Sequence, residues 1–138
     1  GQDIRRRISR VFIAALPDSP KEVMGYYSLS TLSIELRQLP EKLARKLPTH
    51  PVPAALIGRL AVSKNAQGCG VGKMLLVDAL QRTLSVSDQI GIYAMVVDAI
   101  NDNAKGFYEQ FGFVRLSDDS PRLFLPLKSF EDNPAPSS

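Results

Sequence analysis

Short runs of apolar residues recur along the chain, separated by turn-forming residues and by two segments with helical periodicity. Because the runs are brief and rich in β-branched and aromatic residues, they predict strands. The predicted strands are Arg10–Leu16, Val23–Glu35, Ala54–Val62, Gly91–Ala99, Phe113–Leu116 and Leu123–Leu127. We expect the first two to form a hairpin, and the third and fourth to be central strands covered on both faces. Pro126 favours an edge position for the last strand.

Two segments show the spacing of amphipathic helices. In Val71–Ser87, apolar residues repeat every three or four positions and form a wide stripe. The segment Asn101–Phe111 has an N-cap residue at its start, and Gly112 follows its end as a stop signal. A short basic helix is also predicted within Leu39–Leu47. Strands and helices in this order predict an α/β fold built on a mixed sheet.

The composition is that of a globular domain, with 44% apolar and 22% charged residues among 138. We expect a single domain over residues 1–138, with a basic arm at 1–9 and a loose tail at 131–138. No apolar run approaches the roughly 18 residues of a membrane span, so no membrane contact is expected. Cys69 and His50 are the only residues of their kinds, which argues against a disulfide and against a metal centre. The expected location is a reducing cytoplasm.

Positive charge is concentrated in two segments. Residues 1–10 and 37–50 each carry a local charge of +3 in a chain whose net charge is +3, so the remainder sums to −3. The basic residues of these segments are Arg5, Arg6, Arg7, Arg10, Arg37, Lys42, Arg45 and Lys46. A polyanionic partner such as a nucleic acid would be drawn to them. A solvated surface or a frayed terminus is the alternative interpretation.

A glycine-rich turn, Gln67–Gly72, lies between the third strand and the longer helix. Glycine lets the backbone approach a ligand closely, and the helix N-terminus presents unpaired N–H groups, so the turn suits a pyrophosphate. Lys73-Met74 follows where a P-loop has Lys-Ser or Lys-Thr, which argues against nucleotide hydrolysis. The G-x-G-x-G spacing also differs from the Rossmann fingerprint. A purely structural turn is the alternative.

Two segments resemble the acyl-CoA signature of the GNAT acetyltransferase superfamily. Its first half matches Gln67-x-x-Gly70-x-Gly72, and its second half matches residues 101–113 (NDNAKGFYEQFGF), one helix and one strand further along. The resemblance covers about residues 52–127. It implies a GNAT-type α/β fold, in which a mixed, mostly antiparallel central sheet is flanked by helices.

A narrower resemblance is to the GNAT toxins of bacterial toxin–antitoxin pairs. It is carried by residues 26–29 (YYSL), 51–53 (PVP), 58–62 (GRLAV), 78–80 (DAL) and 107–109 (FYE). It implies acetylation of the amino group of aminoacyl-tRNA, which blocks translation, neutralisation by a ribbon–helix–helix antitoxin and, by likeness alone, a homodimer. Such toxins have a strand and two helices before the segment that matches Arg10–Leu16. By comparison with them we expect this chain to be N-terminally truncated, either as a trimmed form or as a short variant.

The resemblance implies acetyl-CoA as co-substrate and a site with several parts. The backbone amides expected to cradle its pyrophosphate belong to Gln67, Gly68, Cys69, Gly70, Val71 and Gly72. The pantetheine arm would pair with the backbone of Leu60, Ala61 and Val62, where an N–H group can also polarise the thioester carbonyl. Asn101 would bond the same arm, and a helix N-cap is its alternative role.

Tyr108 is the candidate general acid. Its ordinary pKa of about 10 keeps it protonated at neutral pH, so it can protonate the departing CoA sulfur. Helical spacing puts Phe107 and Phe111 on one side and turns Tyr108 about 100° away, so that they join the core while Tyr108 faces the cleft. Packing of Tyr108 against these two rings is the alternative. No general base is evident, and an α-amine with a pKa near ~8 is already partly neutral.

Three other residues have side chains that could take part in the chemistry. An acetyl-cysteine intermediate at Cys69 is disfavoured because no histidine lies near it in sequence. His50, between prolines, is interpreted as a surface loop residue. Arg59 is assigned either to an acceptor phosphate or carboxylate, or to a buried ion pair.

Three functions fit these features. The first is an acetyl-CoA-dependent N-acetyltransferase acting on aminoacyl-tRNA. The second is a GNAT enzyme acting on a small amine or a peptide terminus. The third is a module that holds acyl-CoA or an antitoxin peptide without turnover.

Overall fold

The computed structural model describes residues 9–16, 18–35, 41, 45, 51–116 and 119–127. In this part of the chain six strands form one sheet: β1 (Arg10–Leu16), β2 (Ser19–Ile34), β3 (Val52–Val62), β4 (Ala94–Asp98), β5 (Val114–Arg115) and β6 (Arg122–Pro126). Two α-helices accompany them, α1 (Val71–Ile90) and α2 (Asp102–Glu109), and a short 3-10 helix spans Lys64–Ala66. The strand order is β1-β2-β3-β4-β6-β5, and only β3 and β4 are parallel. The predicted mixed, mostly antiparallel α/β sheet is therefore confirmed.

Most predicted elements are present with shifted ends. The helix α1 runs to Ile90, because no residue interrupts it before Gly91, whose N–H donates to the Ser87 carbonyl. The fourth strand accordingly begins at Ala94, so the expected start at Gly91 is wrong. The predicted basic helix within Leu39–Leu47 falls largely outside the described residues. Of its residues Glu41 and Arg45 are described, and the Arg45 N–H donates to the Glu41 carbonyl at 3.1 Å.

The prediction that the last strand lies at an edge is wrong. The strand β6 lies between β4 and β5, and the two-residue β5 forms the edge instead. Pro126 is accommodated because it is the last residue of β6, beyond the two residues that pair with β5. It faces Ala94, while the next residue, Leu127, donates its N–H to Tyr93. Antiparallel ladders alternate bonded and non-bonded pairs, so Pro126 occupies a position that needs no N–H donor.

The two faces of the sheet have separate apolar clusters. On one face, Ala55, Ile57, Met95 and Val97 pack with residues of α1 and α2. On the opposite face, Ala54 and Val96 belong to a second cluster together with Leu32, Ile34, Ala94 and Phe124. Successive residues of a strand point to opposite faces. The side on which a β3 or β4 side chain lies can therefore be read from its position.

The strands β3 and β4 separate after four paired residues. Their parallel ladder runs from Ala54–Ala94 to Ile57–Val97. Beyond it, the described part of β3 pairs only with β2, and Asp98 at the end of β4 pairs with Arg122 of β6. We call this point of separation the fork. A bulge coincides with it, because Ser28 and Leu29 of β2 face Arg59 and Ile57, which leaves Gly58 unpaired.

Close packing fixes the start of α1 against the sheet. A methyl group at Gly25 of β2 would lie 2.7 Å from the Ala61 carbonyl oxygen and 2.9 Å from the Leu75 side chain. Only glycine allows this approach. The first turns of α1 consequently lie directly against the forked end of β3.

Candidate functional site

The bend before α1 presents free backbone amides. Gly68 and Gly70 have φ values of +82° and +80°, a conformation that favours glycine, and they turn the chain into the helix. Gly70 is the N-cap and has no side chain to accept from the helix amides, and the first turn has no acidic residue. We use the name cradle for the backbone amides of Gly68, Gly70, Val71 and Gly72. Because these amides are free and the positive end of the helix dipole is uncompensated, the cradle is suited to bind an anion.

Two of the six predicted cradle amides are engaged elsewhere. The N–H groups of Gln67 and Cys69 donate to the carbonyls of Lys64 and Ala66, both at 3.4 Å. The Gln67 side chain also donates to the Val62 carbonyl at 3.3 Å, which ties the bend to the end of β3. Gln67 therefore positions the cradle, although the prediction placed it among the groups that contact the ligand.

The fork leaves a strand edge open beside the cradle. Leu60, Ala61 and Val62 pair with β2 on one side, and the parallel ladder with β4 has already ended on the other. Apart from the Val62 carbonyl, which accepts from the Gln67 side chain, their remaining backbone groups are available to a ligand in the way an edge strand is available to a neighbour. Leu60 and Val62 pack against the cluster under the helices, which places Ala61 and Arg59 on the opposite face.

Gly72 faces the gap on the helix side of the fork. A methyl group built there would lie 3.7 Å from both the Phe107 ring and the Val62 side chain. The gap is thus bounded by the end of β3, the first turn of α1 and the aromatic face of α2. An extended thiol arm that left the cradle along β3 would pass through this gap.

Tyr108 is the most buried residue of α2, with 6% of its surface exposed. Its ring packs edge-on against Phe107 at 5.2 Å and Phe113 at 5.6 Å between centroids. Phe107 and Phe111 are only partly buried, so the expectation that they form the core face while Tyr108 turns away from it is wrong. The helix is short, and Phe113 after its end supplies the packing partner.

The Tyr108 hydroxyl nevertheless reaches solvent. It makes no hydrogen bond, and in the described part of the chain no buried side-chain oxygen or nitrogen lacks a partner. Burial of the ring raises the pKa of Tyr108 to about 12. The phenol is therefore fully protonated at neutral pH, as a proton donor to a thiolate must be.

Asn101 caps α2. Its Oδ1 accepts a hydrogen bond from the Ala104 N–H at 2.8 Å, which is the alternative role considered for it. Its side-chain nitrogen has no protein partner in the described structure and can still donate to a ligand.

A shallow depression of about 370 Å³ continues from the cradle along the outer face of α1. Its lining is Gly70, Lys73, Met74, Val77, Asp78 and Gln81. Lys73 is exposed on the first turn, where an ammonium group adds to the attraction for phosphate. Sequence reasoning used Lys73 only to argue against a P-loop, although its place in the first turn after the glycines was the available signal. Cys69 is exposed beside the cradle, with its Sγ 3.9 Å from the Gln67 carbonyl.

A buried hydroxyl anchors the middle of α1 to the sheet. Tyr27 of β2 is fully buried and donates from its hydroxyl to Asp78, which also pairs with Arg82 at 2.9 Å. Arg82 lies 4.2 Å above the Phe12 ring, which stacks on Tyr27 at 5.1 Å. The hydrogen bonds from Tyr27 and Arg82 hold the pKa of Asp78 below its usual value, and burial with that carboxylate raises the pKa of Tyr27.

A second ion pair lies at the fork itself. Arg122 of β6 donates to both carboxylate oxygens of Asp98, at 2.8 and 2.9 Å. These bonds hold the pKa of Asp98 below its usual value. Sequence reasoning missed this pair because 24 residues separate the partners.

The predicted basic residues are only partly described. Arg10 is exposed at the start of β1, and Arg45 is exposed and paired with Glu41 at 3.3 Å. The other predicted nucleic-acid contacts lie outside the described residues, namely Arg5, Arg6, Arg7, Arg37, Lys42 and Lys46. His50 also lies outside them. Arg59 is exposed, so the alternative of a buried ion pair is wrong.

The forked sheet and the uncapped helix N-terminus at its opening agree with the acyl-CoA site that the resemblance implies. Residues 8–115 match the acetyltransferase (GNAT) domain family, and the chain belongs to that family. None of the described helices is long and apolar enough to cross a membrane. The described residues also hold no group of three histidine, cysteine, aspartate or glutamate side chains arranged to bind a metal.

Named relatives and solved structures show close similarity. The chain is 39% identical over 106 residues to the tRNA-acetylating toxin of Mycobacterium tuberculosis. The matched region covers 77% of this chain and 63% of that protein. The structure of AtaT complexed with acetyl-methionyl-tRNAfMet aligns with a TM-score of 0.82 and 32% identity, covering 94% and 78% of the two chains. A mutant AtaT toxin bound to the C-terminus of the antitoxin AtaR and acetyl-CoA aligns at 0.74 and 29%, covering 94% and 75%. The chain thus spans less than two thirds of the curated relative.

Proposed function

We propose that this protein is an acetyl-CoA-dependent N-acetyltransferase that acetylates the amino group of aminoacyl-tRNA and so acts as a toxin on translation. The observation that carries the acetyl-CoA part is the coincidence of two unsatisfied backbone surfaces. The cradle offers free amides with a positive dipole, and directly beside it the fork leaves the edge of Leu60–Val62 open. A pyrophosphate joined to an extended amide-containing arm matches both surfaces.

The cradle and the fork have complementary tasks in this mechanism. The amides of Gly68, Gly70, Val71 and Gly72 bind the pyrophosphate. Backbone groups of β3 beyond the fork pair with the pantetheine and orient the thioester. One of these N–H groups donates to the carbonyl oxygen as it becomes an oxyanion. The side-chain nitrogen of Asn101 supplies a further donor to the arm.

Tyr108 completes the transfer. The neutral amine attacks the thioester carbonyl carbon and forms a tetrahedral intermediate, whose collapse breaks the carbon–sulfur bond. The departing thiolate takes the proton of the Tyr108 hydroxyl, and the amine loses its extra proton to water. The phenolate then recovers a proton from solvent, which its raised pKa favours strongly.

The choice of aminoacyl-tRNA as acceptor is supported by the relatives. One is named a tRNA-acetylating toxin, and another was solved with acetyl-methionyl-tRNA. The exposed Arg10 on β1 and Arg45 give described positions for phosphate contacts. The remaining six basic residues of segments 1–10 and 37–50 extend this proposed surface.

The same likeness extends the proposal to partners and organisation. We include a ribbon–helix–helix antitoxin as the neutralising partner, a homodimer, a single GNAT domain over residues 1–138 and a cytoplasmic location. The antitoxin is supported by the complex of AtaT with AtaR.

Labelled acetyl-CoA tests the proposed reaction. The protein is incubated with it and with a pool of charged tRNA, uncharged tRNA or free amino acids. Label is expected on charged tRNA alone, and it should be lost when the ester bond is hydrolysed with mild base. Label on free amino acids or small amines but not on charged tRNA would contradict the acceptor assignment. No transfer to any amine would contradict the enzyme.

A further inference from the structure

The carboxylate of Asp98 lies at the fork, on the side away from the helices. Asp98 directly follows Val97, the last β4 residue that pairs with β3. Asp98 pairs with Arg122, and two residues earlier on the same strand Val96 pairs with Phe124. Val96 and Phe124 belong to the cluster on the face opposite α1 and α2, so Asp98 lies on that face as well. Tyr108 belongs to the cluster under the helices. Asp98 and Tyr108 therefore lie on opposite faces of the sheet.

This arrangement provides separate places for the entering amine and for the departing sulfur of the transfer reaction. In the tetrahedral intermediate the entering amine and the departing sulfur occupy different bonds of one carbon. A donor for the sulfur and a receptor for the amine must accordingly lie on different sides of that carbon. Tyr108 occupies the first position in the proposed mechanism, and Asp98 is the acidic residue found at the second.

The Asp98 carboxylate is held ionised and still has free acceptor capacity. Arg122 uses one lone pair of each oxygen, and 45% of the Asp98 side chain remains exposed. Because the arginine holds its pKa below the usual value, Asp98 is a weak base. It suits the binding of an ammonium group better than the removal of a proton.

Charge on the same face indicates how an acceptor would be oriented. Arg59 alternates with Leu60 on β3, so it lies on the face of Asp98, across the fork, and it is exposed with no ion pair among the described residues. A cation that is unpaired in the described structure thus flanks one side of the opening, and a carboxylate paired with Arg122 flanks the other. An aminoacyl ester carries an ammonium group close to the phosphates of the nucleotide, which matches this order of charges.

We propose that Asp98, positioned by Arg122, binds the α-ammonium group of the acceptor at the face of the fork opposite Tyr108. This inference rests on the proposed function and deepens it, because it assigns the residue that distinguishes an amino from a neutral acceptor. Asp98 is a substrate-binding residue here, and Arg122 is a positioning residue.

The test compares charged tRNA with its neutral analogue. Nitrous acid converts the α-amino group of a charged tRNA pool to a hydroxyl group, and the product is used as an inhibitor. For the wild type we expect the inhibition constant of the hydroxyacyl pool to exceed the KM of the aminoacyl pool by about tenfold or more. D98N should raise that KM by about 10- to 100-fold, remove the preference for the amino form and change kcat by less than about threefold.

Two variants separate binding from a structural effect. R122Q leaves the Asp98 charge in place and removes only the group that positions it, so the amino preference is expected to be reduced but retained. If the pair only clipped β4 to β6, D98N and R122Q would have the same effect, and this result would overturn the proposal. The R122Q measurement stands even if D98N fails to fold. E109Q is the matched control, because Glu109 pairs with Arg115 in similar geometry on α2 and should leave the preference unchanged.

The outcomes also separate this inference from the proposed function. Transfer of label to charged tRNA by a D98N protein that keeps its amino preference would overturn the role assigned to Asp98 and leave the proposed function standing. Absence of any transfer to charged tRNA by the wild type would overturn the proposed function, and with it the role of Asp98. Acetyl-CoA affinity, measured by calorimetry on each variant, is expected to remain within about twofold of the wild type.

Discussion

In Val52–Ile57 the strand β3 is bonded to a neighbour on both sides along most of its length, whereas in Gly58–Val62 the described structure gives it a neighbour on one side only. The first half is mostly buried, and the second is half-buried or exposed. One strand thus contributes a closed ladder to the core and an open edge to the site. The stabilising segment and the proposed ligand-binding segment are therefore consecutive parts of one strand.

The bulge at Gly58 marks the change from one half to the other. In the closed half, side chains alternate between two apolar clusters, and a slip in register would expose both sets. At Gly58 the extra residue resets the alternation relative to β2, so that Leu60 and Val62 still face α1. The open edge therefore keeps its core contacts while its backbone groups are left free. The following variants challenge this contrast.

The largest effect is expected for Y108F. Removing the hydroxyl leaves the ring packed against Phe113 and takes away only the proton donor. We expect kcat to fall by about 10²- to 10³-fold, with the acetyl-CoA dissociation constant unchanged. Acetylation assays measure kcat, and calorimetry measures the dissociation constant of acetyl-CoA. An unchanged rate would show that another donor serves the thiolate, and loss of acetyl-CoA binding would show a structural role.

G25A should damage both halves of the contrast. Its methyl group would lie 2.7 Å from the Ala61 carbonyl, a backbone atom, so β2, β3 or α1 must shift. We expect a loss of about 1–3 kcal/mol in the free energy of unfolding, measured by urea denaturation. The shift also moves the cradle relative to the open edge, so acetyl-CoA should bind more weakly. A stable variant with normal binding would contradict the close packing.

G72A and G106A form a matched pair on two helices. Both replacements add a methyl group inside a helix and should stabilise it by up to about 1 kcal/mol. At Gly72 the methyl group enters the gap toward Phe107 and Val62, whereas at Gly106 nothing lies within 4 Å. We expect G72A to weaken acetyl-CoA binding by about tenfold and G106A to leave it unchanged. Equal affinities for the two variants would show that the gap is not the path of the arm.

The smallest effect is expected for Y27F, in the closed part of the fold. The variant loses the hydrogen bond to Asp78, and we expect unfolding to require about 1–2 kcal/mol less at pH 7. The pKa of Asp78 is lowered in the folded protein, so this stabilisation is present above its ordinary pKa of 3.8 and is lost as the pH falls below it. Wild type and Y27F should therefore converge in stability in acid. A constant difference down to low pH would contradict the assignment.

Local patterns in the sequence predicted most of the scaffold. The apolar runs located all six strands, four of them to within two residues at each end, and the stripe from Val71 onward located α1. Burial of one face requires apolar residues at these positions. The glycines at 68 and 70 predicted the bend, since their positive φ values exclude most other residues. The N-cap at Asn101 was legible for the same local reason.

Features that depend on distant partners could not be predicted. The fork requires knowing which residues of β3 and β4 pair, and 40 positions separate Ala54 from Ala94. The prediction of an edge position for β6 was wrong because β5 pairs with only two residues of β6. Pro126 lies beyond them, and the pattern around Pro126 does not contain the length of β5. The burial of Tyr108 depends on Phe113 after the helix, and periodicity inside the helix does not contain that contact. The Asp98–Arg122 pair is likewise a product of strand order.

The most direct test of the cradle and the fork is a calorimetric titration with acetyl-CoA and, separately, with acetyl-pantetheine. The second compound has the arm and the thioester but lacks the pyrophosphate and the nucleotide. We predict that acetyl-CoA binds with measurable heat and that acetyl-pantetheine binds at least about 100-fold more weakly, because only the first engages the amides at the start of α1. Equal affinities, or no heat with acetyl-CoA, would contradict the account.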